Sequence, residues 1–234
     1  MHQVGAVLLA AGRGERLRPL TDTVPKPALM VGGKPLGAYG LAVLQEMNGR
    51  TAVNLSWLPE VARDALQRYA PADTMWCVEL PTALGTAGTV QALLPHLAPT
   101  FVVMNADTIT DLSISDLLAS HQRIGVSATL AVKEVGEGAD FATEGDRATG
   151  LIDRHRRPSE SGALYVGVAV FERDRVAPLL LAAKPPAGLA EIVLGALATR
   201  GDLAIHRHQG LALDVGTPTA LTQAEVLLAG DQFA

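Results

Sequence analysis

Apolar and polar positions fall into short blocks that alternate between two periods along the chain. The opening block Val4–Leu9 is apolar and runs straight into a glycine-rich stretch. An unbroken apolar run of that kind reads as a strand buried on both faces that feeds a loop. Comparable blocks at 51–55, 75–79, 100–105 and 126–132 predict further strands, and helix-like stretches at 36–47, 60–69, 86–94 and 113–122 separate them. Ser113 followed by Asp116 resembles a capping box with Asp in place of Glu, which supports that helix start. Strand and helix in alternation imply right-handed crossovers and a sheet covered on both faces: an α/β fold, Rossmann-like, with a mixed, mostly parallel sheet flanked by helices.

The rhythm breaks at residues 134–162, which are rich in Gly, Glu, Asp and Arg and predict an antiparallel excursion or a lid. A strand at 164–171, helices at 175–183 and 190–199, a strand at 203–208 and a last helix through Leu228 follow, with a Pro185-Pro186 break on the way. No repeat or linker divides residues 1–234, so one domain with a mobile flap at 134–162 is expected. In open sheets of this kind ligands sit beyond the carboxyl ends of the strands. The loops after Leu9, after Asn105 and after the late strands should therefore meet in one cleft.

Composition narrows the function classes. Apolar residues make up 48% and charged residues 18%, which allows a large core and argues against disorder. Aromatics are only 4%, so the core is built from Ala, Val and Leu. A net charge of -5 argues against a nucleic acid polymer as partner, since phosphate backbones need clustered Lys and Arg. The one cysteine, Cys77, excludes an internal disulfide and a multi-cysteine zinc site, and its setting among Met75, Trp76 and Val78 suits a core thiol. No signal peptide opens the chain and no apolar run reaches about 18 residues. A cytoplasmic enzyme without a membrane partner is expected.

The candidate chemistry begins at Leu9-Ala10-Ala11-Gly12-Arg13-Gly14, continues through Arg16 to Thr21, and ends at Pro25-Lys26-Pro27. Glycines after a first strand let backbone N–H groups approach phosphate oxygens, and Arg16 and Lys26 supply charge to a leaving pyrophosphate. Leu17 stands where a dinucleotide fingerprint needs glycine, and the Gly-Lys-Ser/Thr of a P-loop is absent. Asp107 closes an apolar strand, a costly place for a carboxylate unless it faces a cleft or a cation. Asp214 ends another late strand beside Gly216-Thr217-Pro218. Asp111 is a candidate cap for the helix near Ser113.

Taken together, these blocks resemble the signature of the sugar-1-phosphate nucleotidylyltransferases. The likeness continues through Gly33-Lys34-Pro35-Leu36, Leu84-Gly85-Thr86-Ala87-Gly88, Asn105-Ala106-Asp107 and Leu213–Pro218, in family order over nearly the whole chain. The resemblance implies the nucleotide-diphospho-sugar transferase fold, with a nucleoside triphosphate and a phosphorylated sugar or sugar mimic as substrates. It implies Mg²⁺ held by Asp107 and Asp214, a nucleobase or ribose against Gly85 and Thr86, and a homo-oligomer. GTP is the base it favours, through the short mannose-1-phosphate guanylyltransferases. Glu191 matches an acidic position that some relatives use on the sugar side.

Three departures fall on that side too. Many members carry Glu-Lys-Pro where this chain has Arg156-Arg157-Pro158, which leaves Arg157 in the place of the lysine that grips the sugar phosphate. Phe141-Ala142 lacks a usual glycine, and Ala212 replaces a usual aromatic. An atypical acceptor follows: an unusual sugar, a cyclitol phosphate or another phosphorylated metabolite. Two other readings stand beside this one, a cytidylyltransferase for phosphocholine and a silent nucleotide-binding subunit. His155, His206 and His208 lack a carboxylate cluster at useful spacing and read as surface or flap residues rather than metal ligands. Asn54 and Glu79 receive no role from the sequence.

Overall fold

The computed structural model describes residues 3–153 and 156–229. In chain order the elements are β1 Val4–Leu9, β2 Met30–Val31, β3 Lys34–Pro35, α1 Leu36–Leu44, β4 Arg50–Leu55, α2 Pro59–Leu66 and β5 Met75–Val78. Then come α3 Gly85–Leu93, β6 Leu97–Asn105, β7 Thr108–Thr110, α4 Ile114–Ile124, β8 Ala128–Val135, β9 Phe141–Glu144, β10 Arg147–Leu151 and β11 Gly162–Glu172. The last are α5 Arg173–Leu181, a π-helical turn Ala190–Leu194 running into α6 Gly195–Thr199, β12 Leu203–Arg207, β13 Ala212–Asp214 and α7 Pro218–Ala229.

Nine strands make one mixed sheet in the order β5-β4-β1-β6-β11-β8-β12-β10-β9. β5, β4, β1 and β6 run parallel, and β11 lies antiparallel between β6 and β8. Alternation along β1 explains its burial on both sides. Val7 joins a core with Phe101, Leu130, Phe171 and residues of α3, α5 and α6. Ala6 and Leu8 join the opposite core with Leu41 and Leu44 of α1, Leu66 of α2 and Leu117 of α4. Phe101 and Phe171 stack across β6 and β11 with centroids 5.5 Å apart, so the few aromatics are spent where the sheet changes direction.

Ser113 caps α4 by accepting from the Asp116 amide at 3.2 Å. Asp111 takes a different partner, His208 Nε2 at 2.8 Å. The stretch expected as a flap is antiparallel β structure joined to the sheet: β10 pairs with β12 and β9, β9 touches β11 at Ala163, and Phe141 and Ala148 are core residues. Small β-branched and apolar side chains at alternate positions hold it there despite its charged composition. No helix among the described residues is long and apolar enough to cross a membrane.

Candidate active site

The loop after β1 is shaped by three fixings. The Ala10 amide donates to Asn54 Oδ1 at 2.7 Å. Gly14 is left-handed at φ 67°, and a Cβ there would lie 2.9 Å from Thr21 Cγ2 and 3.0 Å from Lys26 Cβ. Only glycine combines that φ with so close an approach. Thr21 Oγ1 donates to the Gly14 carbonyl at 2.8 Å, and Trp57 Nε1 donates to the Thr21 carbonyl at 3.0 Å. Ala11 is buried behind the loop, and the Arg13 guanidinium stacks on Trp57 at 4.9 Å. Ala10 thus spends its N–H on the protein; among the described residues nothing accepts from the amides of Ala11, Gly12, Arg13 and Gly14.

Below this loop lies a cavity of about 340 Å³ lined by Leu9, Ala10, Gly12, Gly14, Arg16, Lys26, Asp107 and Gly216, among others. Lys26, 8% exposed, donates from Nζ to Asp107 Oδ2. β13 pairs with β7 so that Asp214 stands opposite Thr108, and the Val215 amide donates to the Asp107 carbonyl at 2.9 Å. A Cβ at Gly216 would sit 2.6 Å from Arg16 Nη2 and 3.0 Å from Asp214 Oδ1, so this glycine admits the guanidinium beside the carboxylate. Arg16, Lys26, Asp107 and Asp214, spread over the whole chain, therefore gather at one place.

A second cavity, of about 470 Å³, adjoins the first and shares Leu9 and Asp107 with it. Thr86, Asn105, Thr108, Lys133, Asp140, Tyr165 and Asp214 supply its polar surface, and Phe141, Leu151, Leu164, Leu189 and Leu194 much of its apolar wall. Burial, then the negative charges of Asp107 and Asp140, push the Tyr165 hydroxyl well above its ordinary pKa, which keeps it a neutral donor. Gly167 is at φ 83°, with Thr108 Oγ1 only 2.4 Å from where its Cβ would stand, so backbone closes the floor of the cavity.

Asn54 and Glu79, silent in the sequence, form the bracket behind the loop after β1. Asn54 Nδ2 donates to Glu79 Oε1 at 3.0 Å and to Thr89 Oγ1 at 2.9 Å, and the Leu84 amide donates to Glu79 Oε2 at 2.8 Å. The network ties the loop after β1 to the start of α3. An Asn inside the apolar run Ala52-Val53-Asn54-Leu55 was the available signal, because Asn is depleted in strands.

Not every expected residue reaches the cleft. Gly85, at φ 76°, has the Ala187 backbone in the space a Cβ would take, 2.5 Å from its carbonyl oxygen, so its missing side chain is explained by a protein contact rather than a ligand. Thr86 does line the second cavity while its Oγ1 accepts from the Leu189 amide at 2.8 Å. Arg157 is exposed and pairs locally with Glu160 at 3.0 Å. Glu191 is also exposed, its Oε2 folded onto Gly188 at 2.1 Å from where a Cβ would be. Neither lines either cavity. His206 bonds to Ser120 Oγ at 3.0 Å, and His155 lies outside the described residues.

No group of three or more His, Cys, Asp or Glu side chains suited to a metal occurs among the described residues. Asp107 and Asp214 suit a hard cation of another habit, one that takes one or two carboxylates and completes its shell with water and substrate phosphate.

Comparison with known proteins adds the relationships of this architecture. The model of the nucleotidyl transferase family matches residues 5–229. An N-acetylmuramate alpha-1-phosphate uridylyltransferase of Neisseria meningitidis is 34% identical over 95% of this chain and 97% of its own length. The mannose-1-phosphate guanylyltransferase catalytic subunit beta of Danio rerio is 29% identical over 91% of the chain, which spans 61% of that relative. Among solved structures, one described as a glucose-1-phosphate thymidylyltransferase of Bacillus anthracis, in complex with sucrose, superposes with a TM-score of 0.82 at 20% identity, over 99% of this chain and 97% of that one. HddC from Yersinia pseudotuberculosis complexed with GMP-PN gives 0.75 at 19% identity, over 95% and 98%.

Proposed function

This chain belongs to the nucleotidyl transferase family, and on that premise we propose that it transfers a nucleoside monophosphate from a nucleoside triphosphate to a sugar-1-phosphate or sugar-like phosphate, releasing pyrophosphate. The observation that carries this reading is the junction of two cavities at Asp107. The first has loop amides, Arg16 and Lys26, the equipment for a triphosphate. The second is broad, largely apolar and rimmed by hydroxyls and carboxylates, the equipment for a polyol. A triphosphate in one and an acceptor in the other would place the α-phosphorus and the attacking phosphate oxygen together at the junction.

The attacking oxygen is already anionic, so the reaction needs no general base. Its rate rests on alignment and on neutralising charge at the α-phosphate and the departing pyrophosphate. Free amides at residues 11–14 hold the triphosphate, and Arg16 meets the negative charge that grows on the leaving group. Lys26 is fixed by its contact with Gly14 and by Asp107, so its ammonium needs little reorganisation. Asp107 and Asp214 would hold a Mg²⁺ ion, which would supply positive charge against the phosphates. The Tyr165 hydroxyl and Thr108 are placed to orient the acceptor body. The reading suits a cytoplasmic enzyme, where triphosphates are made.

The test is pyrophosphate release from each of the five common triphosphates with Mg²⁺, against mannose 1-phosphate, glucose 1-phosphate, N-acetylmuramic acid 1-phosphate, a cyclitol phosphate and phosphocholine. GTP heads the panel, because mannose-1-phosphate guanylyltransferases recur among the relatives. Release with one triphosphate and one sugar-like acceptor supports transfer. Release with phosphocholine alone, or silence while a triphosphate still binds by calorimetry, rejects it.

A further inference from the structure

The second cavity carries one cation that the transfer chemistry leaves unused. Lys133 of β8 is half-buried and lines that cavity. Its strand neighbours are otherwise engaged: Val132 is fully buried, and Glu134 takes Arg207, which also reaches Asp146 at 2.7 Å. Among the described residues no acceptor or carboxylate engages the Lys133 ammonium. Asp140, in the same cavity, turns a carboxylate oxygen to the Tyr165 amide at 3.0 Å. With no partner of its own among the described residues, and beside the apolar Phe141, Leu151 and Leu164, this ammonium is available to an anionic group of a ligand.

Topology indicates which part of a ligand that anion belongs to. Asp107 follows β6, and β8 lies two strands away, with β11 between them. Two strand spacings are about 10 Å. Lys133 pairs with Leu164, whereas Met104 of β6 pairs with Val168, four residues further along β11. Asp107 lies three residues beyond Met104 in that same direction, and β11 bulges between Tyr165 and Ala169, so Lys133 and Asp107 stand at about the same height and are separated across the sheet. The reacting phosphate belongs at Asp107, so Lys133 meets the acceptor across the width of the cavity, away from that phosphate.

We propose that Lys133 is a specificity-determining residue that binds a carboxylate on the body of the acceptor, remote from its reacting phosphate. The acceptor class is then a sugar or cyclitol phosphate bearing a carboxylate. A carboxylate suits this place better than a second phosphate, because Asp107, Asp140 and Asp214 line the same cavity and repel a near-dianion more than a single charge. The apolar wall strengthens the contact by excluding water. The proposal rests on the second cavity being the acceptor site of the transfer reaction.

The experiment compares acceptors that differ in a carboxylate: N-acetylmuramic acid 1-phosphate against N-acetylglucosamine 1-phosphate, and glucuronic acid 1-phosphate against glucose 1-phosphate. Glucose 1,6-bisphosphate is the third probe. The expected result is a preference of about 10- to 100-fold in kcat/KM for the carboxylated member of at least one pair, the range of a charge-assisted hydrogen bond. Lys133→Met should collapse that ratio toward one, with the loss in acceptor KM and not in triphosphate KM, and Lys133→Arg should keep most of it. Equal use of both members in both pairs overturns the proposal. So does an equal loss on both members in Lys133→Met, or a preference for the bisphosphate over both carboxylates. If no acceptor yields pyrophosphate, the transfer reading has failed, and calorimetric binding of the same pairs decides on Lys133 by itself. Tighter binding of the carboxylated member that Lys133→Met abolishes sustains the proposal, and indifference rejects it.

Discussion

The ammonium of Lys26 and the carboxylate of Asp107, 81 residues apart in sequence, meet where the two cavities join. An Asn at 107 would keep an oxygen acceptor for the Lys26 ammonium while losing the charge. Asp107→Asn is expected to lower turnover by at least about 100-fold, the scale of removing one preorganised electrostatic group, while circular dichroism and the melting curve stay close to wild type. Near-normal turnover in that variant would remove Asp107 from the mechanism. His206 makes a second prediction, about stability. Burial, opposed by Asp116, holds its pKa below the ordinary value. The unfolded chain takes up the proton near pH 6.5, whereas the folded chain resists. Stability from this group is therefore complete above about pH 6.5 and declines as pH falls toward the lower folded value. His206→Asn should show a smaller drop in Tm between pH 7.5 and 5.5 than wild type; an unchanged drop would clear His206 of any part. At this scale the sequence exposed Arg16, Lys26, Asp107 and Asp214, because each is attached to a local pattern of glycines or a strand end. It hid Asn54 and Glu79, whose roles depend on partners 25 and 35 residues away. Arg157 read as a phosphate ligand, but an exposed guanidinium satisfies itself with the nearest carboxylate, here Glu160 three residues on.

Elements transmit that bracket to the site. Asn54 holds the end of β4 to the loop after β1 and to the start of α3, and its replacement should be felt in both stability and binding. Asn54→Leu keeps roughly the same volume but leaves the Ala10 amide and Glu79 each short of a partner, at about 1–3 kcal/mol for each buried group. Urea unfolding should show that loss, and KM for the triphosphate should rise with it; a stable variant with unaltered KM would reduce the network to packing. Gly85→Ala meets two obstacles, a left-handed φ and the Ala187 carbonyl, and should destabilise by more than about 1 kcal/mol. Element boundaries were legible where punctuation was strong, as at Ser113 before α4. The π-helical turn at Ala190–Leu194 was not, since its letters are those of an ordinary helix. β9 and β10 were masked by charge: their polar residues face solvent, and only Phe141 and Ala148 report the core.

For the molecule as a whole, the layers are held by two apolar cores that the chain closes without a disulfide or a metal-ligating cluster among the described residues. Chelation with EDTA should accordingly stop turnover and leave Tm unchanged within about 2 °C, since a ligand stabilises only in proportion to its binding to the folded state. A large fall in Tm would mean that the cation is structural. The alternation of strand and helix made the parallel half readable in advance. The antiparallel excursion at 134–162 was expected as well, but its docking onto the sheet emerged only from register, because pairing partners are not written in any local period. That division of the sheet has an evolutionary consequence. The loop after β1 and the end of β6 line the first cavity, whereas β8, β9, β10 and β11 wall much of the second. Heritable variation can accumulate on one side without disturbing the other. A laboratory lineage selected for new acceptors should therefore collect its substitutions between residues 133 and 166 and leave the first 27 residues untouched.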